Sequence, residues 1–390
     1  MSRALLGVGS QNLAASNSDA AATPTVVLVI GTLQAGGAER QLSDMANYWA
    51  AKGWRIIFAT WSGSELADFF PLHAHVRRVH LNVDIAHAAV LPRLRSNLKR
   101  ILKLRKLLSA TRPDAVLSFL TESNLLAILA RMGLDTRVVV SERIQPALHT
   151  SLPRMWKILR RLLYVRADGV VAQTRDAALW LERHCHTSVS VIPNALRRLP
   201  EPSDEKRTVI VAVGRLTRQK GFDLLLRAFA RIATRFSEWT LVIIGEGAER
   251  QSLTRLRGEL LLDGRVEFVG PTPDVLDWMA HAGLVVQPSR FEGFPNVVLE
   301  SMGLGAAVIS ADCPSGPADL IEEGVNGRLV PVEDVGALAN VMAELISKPD
   351  ERARLGRAAS AVRERYRQDI LMDRWEACLF PRSAQASDAA

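Results

Sequence analysis

The sequence predicts an α/β protein of two doubly wound, parallel-sheet domains facing each other across a cleft. Three observations predict it. Continuous apolar runs alternate with helical patterns along most of the chain, a proline-rich break divides that alternation into two similar series, and 390 residues suffice for two ordinary cores, since domains usually run about 100–200 residues.

The first series opens with Thr25-Val26-Val27-Leu28-Val29-Ile30-Gly31, an apolar run ending in a loop. A helical pattern from Ala38 to Lys52 and a second run, Arg55-Ile56-Ile57-Phe58-Ala59, follow it. Apolar runs without polar alternation mark strands buried on both faces, so this is a βαβ unit of a parallel sheet. Further strands fall at Asp114–Phe119, Arg137–Val140, Gly169–Val171 and Val189–Ile192. A first domain therefore takes residues 24–194.

Pro193, Pro200 and Pro202, with Glu201, Ser203, Asp204 and Glu205, interrupt the pattern and predict a hinged linker over residues 195–206. The second series has strands at Thr208–Gly214, Leu241–Gly245, Val266–Gly270, Leu284–Val286 and Ala307–Ser310, giving a second domain over residues 207–365. Residues 366–390 are expected to form a C-terminal helix and tail, the helix packing back on the first domain. Ligands of such sheets bind beyond the carboxyl ends of the strands, so two facing sheets predict a site between domains.

Residues 1–23 carry only the short patch Ala4-Leu5-Leu6 before Ser10-Gln11-Asn12, which lacks the apolar centre of a signal peptide and is expected to be a disordered tail. Apolar content of 48% with 23% charged residues describes a soluble globular protein. No apolar run approaches the ~20 residues of a membrane span. Cys185, Cys313 and Cys378 are scattered, which argues against disulfides or a zinc site and for a reducing, cytoplasmic compartment. His73, His75, His184 and His186 lack the partners of a metal cluster, so no metal is expected.

The stretch Ser289-Arg290-Phe291-Glu292-Gly293-Phe294-Pro295-Asn296-Val297-Val298-Leu299-Glu300 is the richest in chemistry. Pro295 suits the first position of a helix, which puts Glu292 on the loop before it and Glu300 within it. Unpaired amides at that helix start, from Gly293 through Val297, suit a phosphate. The flanking carboxylates would instead accept hydrogen bonds from neutral hydroxyls, and a nucleotide sugar carries diols on both sides of its diphosphate. The bland alternative is a capped surface loop followed by a solvated Glu.

Two further loops fall at strand ends. In Gly214-Arg215-Leu216-Thr217-Arg218-Gln219-Lys220-Gly221, Arg215 and Lys220 bracket a turn where positive charge would meet a diphosphate; a solvated loop is the alternative. In Gly36-Gly37-Ala38-Glu39-Arg40, the glycines let backbone amides approach a phosphate or sugar. Gly245-Glu246-Gly247-Ala248-Glu249-Arg250 lacks the third glycine of a dinucleotide fingerprint and reads as an ordinary strand-to-helix turn.

With these residues in view the chain resembles the retaining glycosyltransferases of family 4, whose GT-B architecture sets two Rossmann-like domains across a cleft. The resemblance runs from about Val26 to Tyr366. It rests on Gly36-Gly37-Ala38-Glu39, Ile192-Pro193-Asn194, Gly214-Arg215-Leu216 with Lys220-Gly221, and the pair Glu292 and Glu300, in the family's order. It implies that Arg215 and Lys220 bind the donor diphosphate, that Glu300 holds the ribose hydroxyls, and that Glu292 contacts the donor sugar. It also implies that Gly214, Gly293, Phe294, Asn296 and Val297 adjoin the donor, and that Gly36 and Gly37 border the reacting centre. Transfer in such enzymes keeps the anomeric configuration and uses neither metal nor cofactor beyond the nucleotide sugar, the departing phosphate helping to deprotonate the acceptor. One departure stands out. Many relatives have a histidine just after the strand corresponding to Val138-Val139-Val140-Ser141, where this chain has Glu142-Arg143. Glu142 is therefore a candidate for contact with donor sugar or acceptor, against the alternative of a neighbouring ion pair lining the cleft.

The net charge of +8 concentrates in the first domain. Arg77, Arg78, Arg93, Arg95, Lys99, Arg100, Lys103, Arg105, Lys106 and Arg112 face the single acid Asp84, and Leu94, Leu98, Ile101, Leu104 and Leu108 recur among them at helical spacing. Arg154 to Tyr164 repeats the pattern. Basic amphipathic helices suit an anionic membrane surface, the alternative being apolar stripes that face the core. No recognition motif or stacking aromatics point to nucleic acid. The expected function is transfer of a hexose from a nucleotide-diphosphate sugar, UDP-linked, to a lipid-linked or growing surface polysaccharide, at the inner face of the plasma membrane. The alternatives are a GT-B-like sugar-nucleotide 2-epimerase, which would need carboxylates and a histidine aimed at C2, and a non-catalytic binder, which would lack Arg215, Lys220 or Glu300.

Overall fold

The structure, a computed structural model, describes residues 23–34, 36–83, 90–149, 152–203 and 205–381. The expected tail at 1–23, apart from Thr23, lies outside the described residues, as do Asp84 and the C-terminal 382–390.

The first domain runs β1 (Thr25–Ile30), α1 (Gly37–Ala51), β2 (Arg55–Thr60), β3 (Arg77–His80), α2 (Val90–Thr111), β4 (Ala115–Phe119), α3 (Thr121–Arg131), β5 (Arg137–Glu142), α4 (Arg154–Leu163), β6 (Gly169–Ala172), α5 (Arg175–Cys185) and β7 (Val189–Val191). Its seven strands are parallel in the order β3-β2-β1-β4-β5-β6-β7. Strand order reverses between β1 and β4, which opens a crevice above their carboxyl ends.

The second domain runs β8 (Arg207–Val213), α6 (Phe222–Ile232), β9 (Thr240–Ile244), α7 (Arg250–Glu259), β10 (Val266–Val269), α8 (Val275–Ala280), β11 (Ala282–Gln287), α9 (Asn296–Gly303), β12 (Val308–Ala311), α10 (Pro317–Leu320), β13 (Arg328–Val330), α11 (Val335–Ser347), α12 (Pro349–Ala359) and α13 (Val362–Arg365). Its six strands are parallel in the order β10-β9-β8-β11-β12-β13 and reverse between β8 and β11. Each sheet is covered on both faces, so its central strands are buried over most of their length, as the unbroken apolar runs require. Two strands had no such signature. β3 and β13 lie at sheet edges and are short, and β3 carries Arg77 and Arg78.

The last helix, α14 (Gln368–Leu379), leaves the second domain and packs on the first. Met372, Trp375 and Leu379 join the cluster of Leu28, Phe58 and Phe119 on one face of the first sheet. Glu376 accepts from Lys52 Nζ and from Trp49 Nε1. Ala359, Val362, Tyr366 and Leu371 meanwhile pack in the second domain's core. The chain thus passes between domains twice, at residues 192–206 and again at 366–367, and the Leu196 amide donates to the Tyr366 carbonyl at 2.8 Å.

On α2, Leu104 and Leu108 are buried, while Leu94, Leu98 and Leu102 are about half exposed on another face. On α4, Trp156, Arg160 and Leu163 point inward, while Met155, Ile158 and Leu162, with Val165 just beyond, form an exposed stripe. Both helices flank α3.

Candidate functional site

Three loops at the carboxyl ends of strands build the site: β1 to α1, β8 to α6 and β11 to α9. The second and third are welded together. The Arg290 amide donates to the Gln219 carbonyl at 2.8 Å, Gln219 Nε2 to the Phe291 carbonyl at 2.9 Å, and Arg290 Nη1 to the Arg218 carbonyl at 2.7 Å. Arg290 also forks onto Asp223 at 2.8 Å through both terminal nitrogens. Gly221 makes the close approach feasible. Its φ is +68°, and a Cβ would lie 2.1 Å from the Pro288 carbonyl oxygen, so glycine is required there.

Glu292 ends the weld. It is 5% exposed, and its Oε1 accepts from Lys220 Nζ at 2.7 Å, Ser289 Oγ at 2.6 Å and Gln287 Nε2 at 3.0 Å. All three donors use one oxygen, which fixes the carboxylate plane and leaves Oε2 as the edge with bonding capacity to spare. The Lys220 stem passes beside Gly214, where a Cβ would sit 3.4 Å from Lys220 Cδ and Cε. Arg215 is exposed. Burial raises the pKa of Glu39, an effect that a backbone hydrogen bond and the Arg215 charge oppose, so Arg215 reaches the first domain's loop electrostatically.

The seam between domains lies along α1 and α9. A Cβ on Gly37 would be 3.4 Å from Asn296 Nδ2. One turn further on, Arg40 Nη2 donates to Glu300 Oε1 at 2.8 Å. The amino termini of the two helices therefore meet at the seam, one from each domain, and both open toward the same space. The positive dipole ends and first-turn amides of two helices make such a place attractive to anions. On α9, among the described residues, no backbone carbonyl accepts from the amides of Val297 or Val298. The helix begins at Asn296 rather than at Pro295, which is its N-cap. The Glu39 carboxylate folds back over Gly36, its Oε2 2.1 Å from where a Cβ would be.

Glu300 is 5% exposed and accepts from Arg40 on Oε1 and from Arg197 Nη2 on Oε2, the latter at 2.9 Å. Nearby Asp44 has its pKa raised by burial, with Arg40 and Arg197 opposing the shift. Asn194 bridges the seam lower down, accepting from Arg143 Nη2 and donating to Asn296 Oδ1 at 2.7 Å. At Gly293 a Cβ would fall 2.6 Å from the Arg143 carbonyl oxygen, so the domains touch backbone to backbone there. Thr174 and Ser315 share a hydrogen bond of 2.5 Å across the same seam.

Two further expectations need correction. Glu142 does not reach the cleft: its carboxylate is 2% exposed, and it accepts from Thr121 Oγ1 at 2.9 Å and Tyr164 OH at 2.5 Å, with Arg160 Nη1 3.6 Å away. Its ion-pair partner is Arg160, not the adjacent Arg143, whose guanidinium stacks 4.3 Å from the Phe119 ring centroid. Burial lowers the Arg143 pKa to about 9. The side chain of Phe294 is likewise spent, packing against Tyr366 in the second domain's core, so only its backbone borders the site. Gly36, Gly37, Gly214, Arg215, Lys220, Glu292, Gly293, Asn296, Val297 and Glu300 do converge on the seam and the welded loops beside it. Arg40 and Arg197 complete the arrangement without having been singled out, because nothing local in their sequence marks a partner on another element, and Ser289 joins them from within the Glu292 loop itself.

Among the described residues no group of three or more His, Cys, Asp or Glu side chains is arranged to hold a metal ion, and no helix is long and apolar enough to cross a membrane.

Comparison with known proteins follows the same division. Residues 36–195 match the family described as glycosyl transferase 4-like domain, and residues 197–362 that described as glycosyl transferases group 1. An uncharacterized glycosyltransferase of Haemophilus influenzae is 26% identical over 354 residues, covering 88% of this chain and 96% of that protein. A Campylobacter jejuni enzyme is 28% identical over 341 residues, covering 85% and 91%. Its name is GalNAc-alpha-(1->4)-GalNAc-alpha-(1->3)-diNAcBac-PP-undecaprenol alpha-1,4-N-acetyl-D-galactosaminyltransferase. The crystal structure of Anabaena HepE in complex with UDP and glucose superposes with a TM-score of 0.75 at 20% identity, over 91% of this chain and 99% of that one. Two matched domains on two facing parallel sheets make this chain a glycosyltransferase of the GT-B architecture.

Proposed function

We propose that the chain transfers a hexose from a UDP-sugar to a lipid-linked saccharide of a growing polysaccharide, with retention of anomeric configuration and without a metal. The observation that carries this reading is the meeting of the α1 and α9 amino termini, with Arg215 and the Lys220–Glu292 pair on the loops beside them and Glu300 anchored one turn into α9. A diphosphate at the paired helix starts meets amides and positive dipole ends, and Arg215 adds a charge from the second domain. These groups stabilise charge developing on the leaving nucleotide, the part of the barrier that preorganised dipoles lower most. Glu300 accepts from the ribose diol, and Oε2 of Glu292 from a sugar hydroxyl. The departing phosphate, on the face the acceptor approaches, takes the acceptor's proton. UDP and glucose bound in HepE support the donor class, and the undecaprenol diphosphate in the name of the Campylobacter relative supports the acceptor class.

The exposed stripes of α2 and α4 support contact with the membrane that carries such an acceptor. Leu94, Leu98 and Leu102 stand beside exposed Arg95 and Lys99, and Ile158 and Leu162 beside exposed Arg154 and Arg161. Apolar side chains ringed by cations fit the headgroup boundary of an anionic bilayer, here the inner face of the plasma membrane.

The test is nucleotide release from UDP-, GDP- and ADP-sugars with and without a bacterial lipid extract, with Glu300→Ala as control. Release from one donor, stimulated by the extract and abolished by the substitution, is expected. No release from any donor, or release indifferent to Glu300, overturns the reading.

A further inference from the structure

Glu300 is the one carboxylate of the site held from three separate parts of the chain. It sits on α9 of the second domain, Arg40 reaches it from α1 of the first, and Arg197 reaches it from the segment joining them. Each arginine takes a different oxygen, at 2.8 Å and 2.9 Å. A carboxylate this buried needs charged partners to replace the water it has lost. The two guanidinium groups offset that loss and fix the plane in which the remaining lone pairs point.

A carboxylate has about four acceptor directions. Two are used by the arginines, and those left lie in a plane set jointly by both domains. If α1 moves away from α9, Arg40 leaves with it and Glu300 keeps only its bond to Arg197, which holds one oxygen but no longer both.

We propose that Arg40 and Arg197 are positioning residues that make ribose recognition by Glu300 depend on domain closure. The inference rests on the reading above, in which Glu300 accepts from the donor ribose. Arg40 itself does not contact the reacting atoms. Closure brings it to Oε1, which turns the carboxylate to receive the diol, and a bound diol in turn favours the closed form by the same factor.

The experiment titrates UDP, GDP and ADP into the full chain by calorimetry, takes the tightest, and repeats with its 2′,3′-dideoxy form. Hydrogen bonds to a charged acceptor are each worth enough that wild type should lose about tenfold or more in affinity for the dideoxy form. Glu300→Gln should remove most of that discrimination. Arg40→Met should also shrink it, to about threefold or less, while affinity for the dideoxy nucleotide itself stays within about threefold of wild type. Arg197→Met should act in the same direction, and Arg40→Lys should lose less than Arg40→Met, since it keeps the charge. A purely structural ion pair would weaken both nucleotides equally. Wild type without discrimination, or no binding of any nucleotide, overturns both this inference and the ribose reading beneath it. Discrimination abolished by Glu300→Gln but untouched in Arg40→Met and Arg197→Met leaves the ribose reading standing and overturns the positioning role. Should Arg40→Met fail to fold, Arg197→Met and Arg40→Lys carry the same comparison.

Discussion

Lys220 and Glu292, from two loops separated by a whole strand–helix succession, meet as an ion pair at 2.7 Å with the carboxylate 5% exposed. The cation expected at the diphosphate is therefore also the counter-ion of the carboxylate expected at the sugar. Removing it strands a buried charge, which costs about 3–5 kcal/mol where such pairs have been broken. Lys220→Ala should lower both transfer, by about 10²–10³, and stability. Lys220→Met combined with Glu292→Gln should recover most of the stability in urea unfolding and none of the activity. Equal stability of Lys220→Ala and wild type would mean that the pair is not formed in solution.

Glu142 should behave as a structural residue. Its hydrogen bonds to Thr121 and Tyr164 and its pairing with Arg160 are all internal to the first domain. Glu142→Gln leaves Arg160 without its counter-charge and should cost about 3–5 kcal/mol in stability, while kcat of the folded enzyme stays within about threefold of wild type. A fall in kcat of a hundredfold or more without a change in unfolding midpoint would return Glu142 to the chemistry.

Trp375 tests the link made by the last helix. It is buried against Phe119, with ring centroids 5.9 Å apart. Trp375→Ala should destabilise the first domain by about 3–5 kcal/mol, the usual range for a buried tryptophan. The measurement is proteolysis or unfolding resolved by domain, and loss confined to the second domain would contradict the packing.

Asp223 sets an acid limb. Partial burial raises its pKa, but hydrogen bonds and charge from Arg290 outweigh that and leave it below the ordinary 3.8. A depressed carboxyl contributes stability that is present above its unfolded pKa and lost as pH falls through the folded value. The melting-temperature gap between wild type and Asp223→Asn should thus be full at pH 7 and close below about pH 4. A gap that stays constant down to pH 2.5 would contradict the assignment.

The exposed stripe on α4 offers a separation of effects. Ile158→Glu with Leu162→Glu changes only exposed side chains, so stability should move by about 0.5 kcal/mol or less. Sedimentation with vesicles containing anionic lipid should fall several-fold, and fall again at high salt for wild type. Unchanged sedimentation would exclude this face as the membrane contact.

The central strands were legible in the sequence because burial on both faces leaves an unbroken apolar run, as in Thr25–Ile30 and Ala282–Gln287. β3 and β13 were not, since an edge strand needs no such run and Arg77-Arg78 resembles a charged surface segment. In the site, the loop glycines and the two glutamates could be read because each lies at a strand end within its own βα unit. The partners of Glu300 lie 260 and 103 positions away in the chain, and no local pattern encodes which arginine arrives. Glu142 was misjudged for the converse reason. Its place after a strand resembles a site position, and only the packing of Tyr164 and Arg160 over it turns the carboxylate inward.

The second passage of the chain between domains changes what opening can mean. A single tether would let one domain swing and twist freely about it. Here two tethers cross side by side, joined by the bond from the Leu196 amide to the Tyr366 carbonyl, which ties their movements together. Opening then has to carry both tethers at once, and a distance across the seam, between labels near Gly37 and Asn296, would follow it.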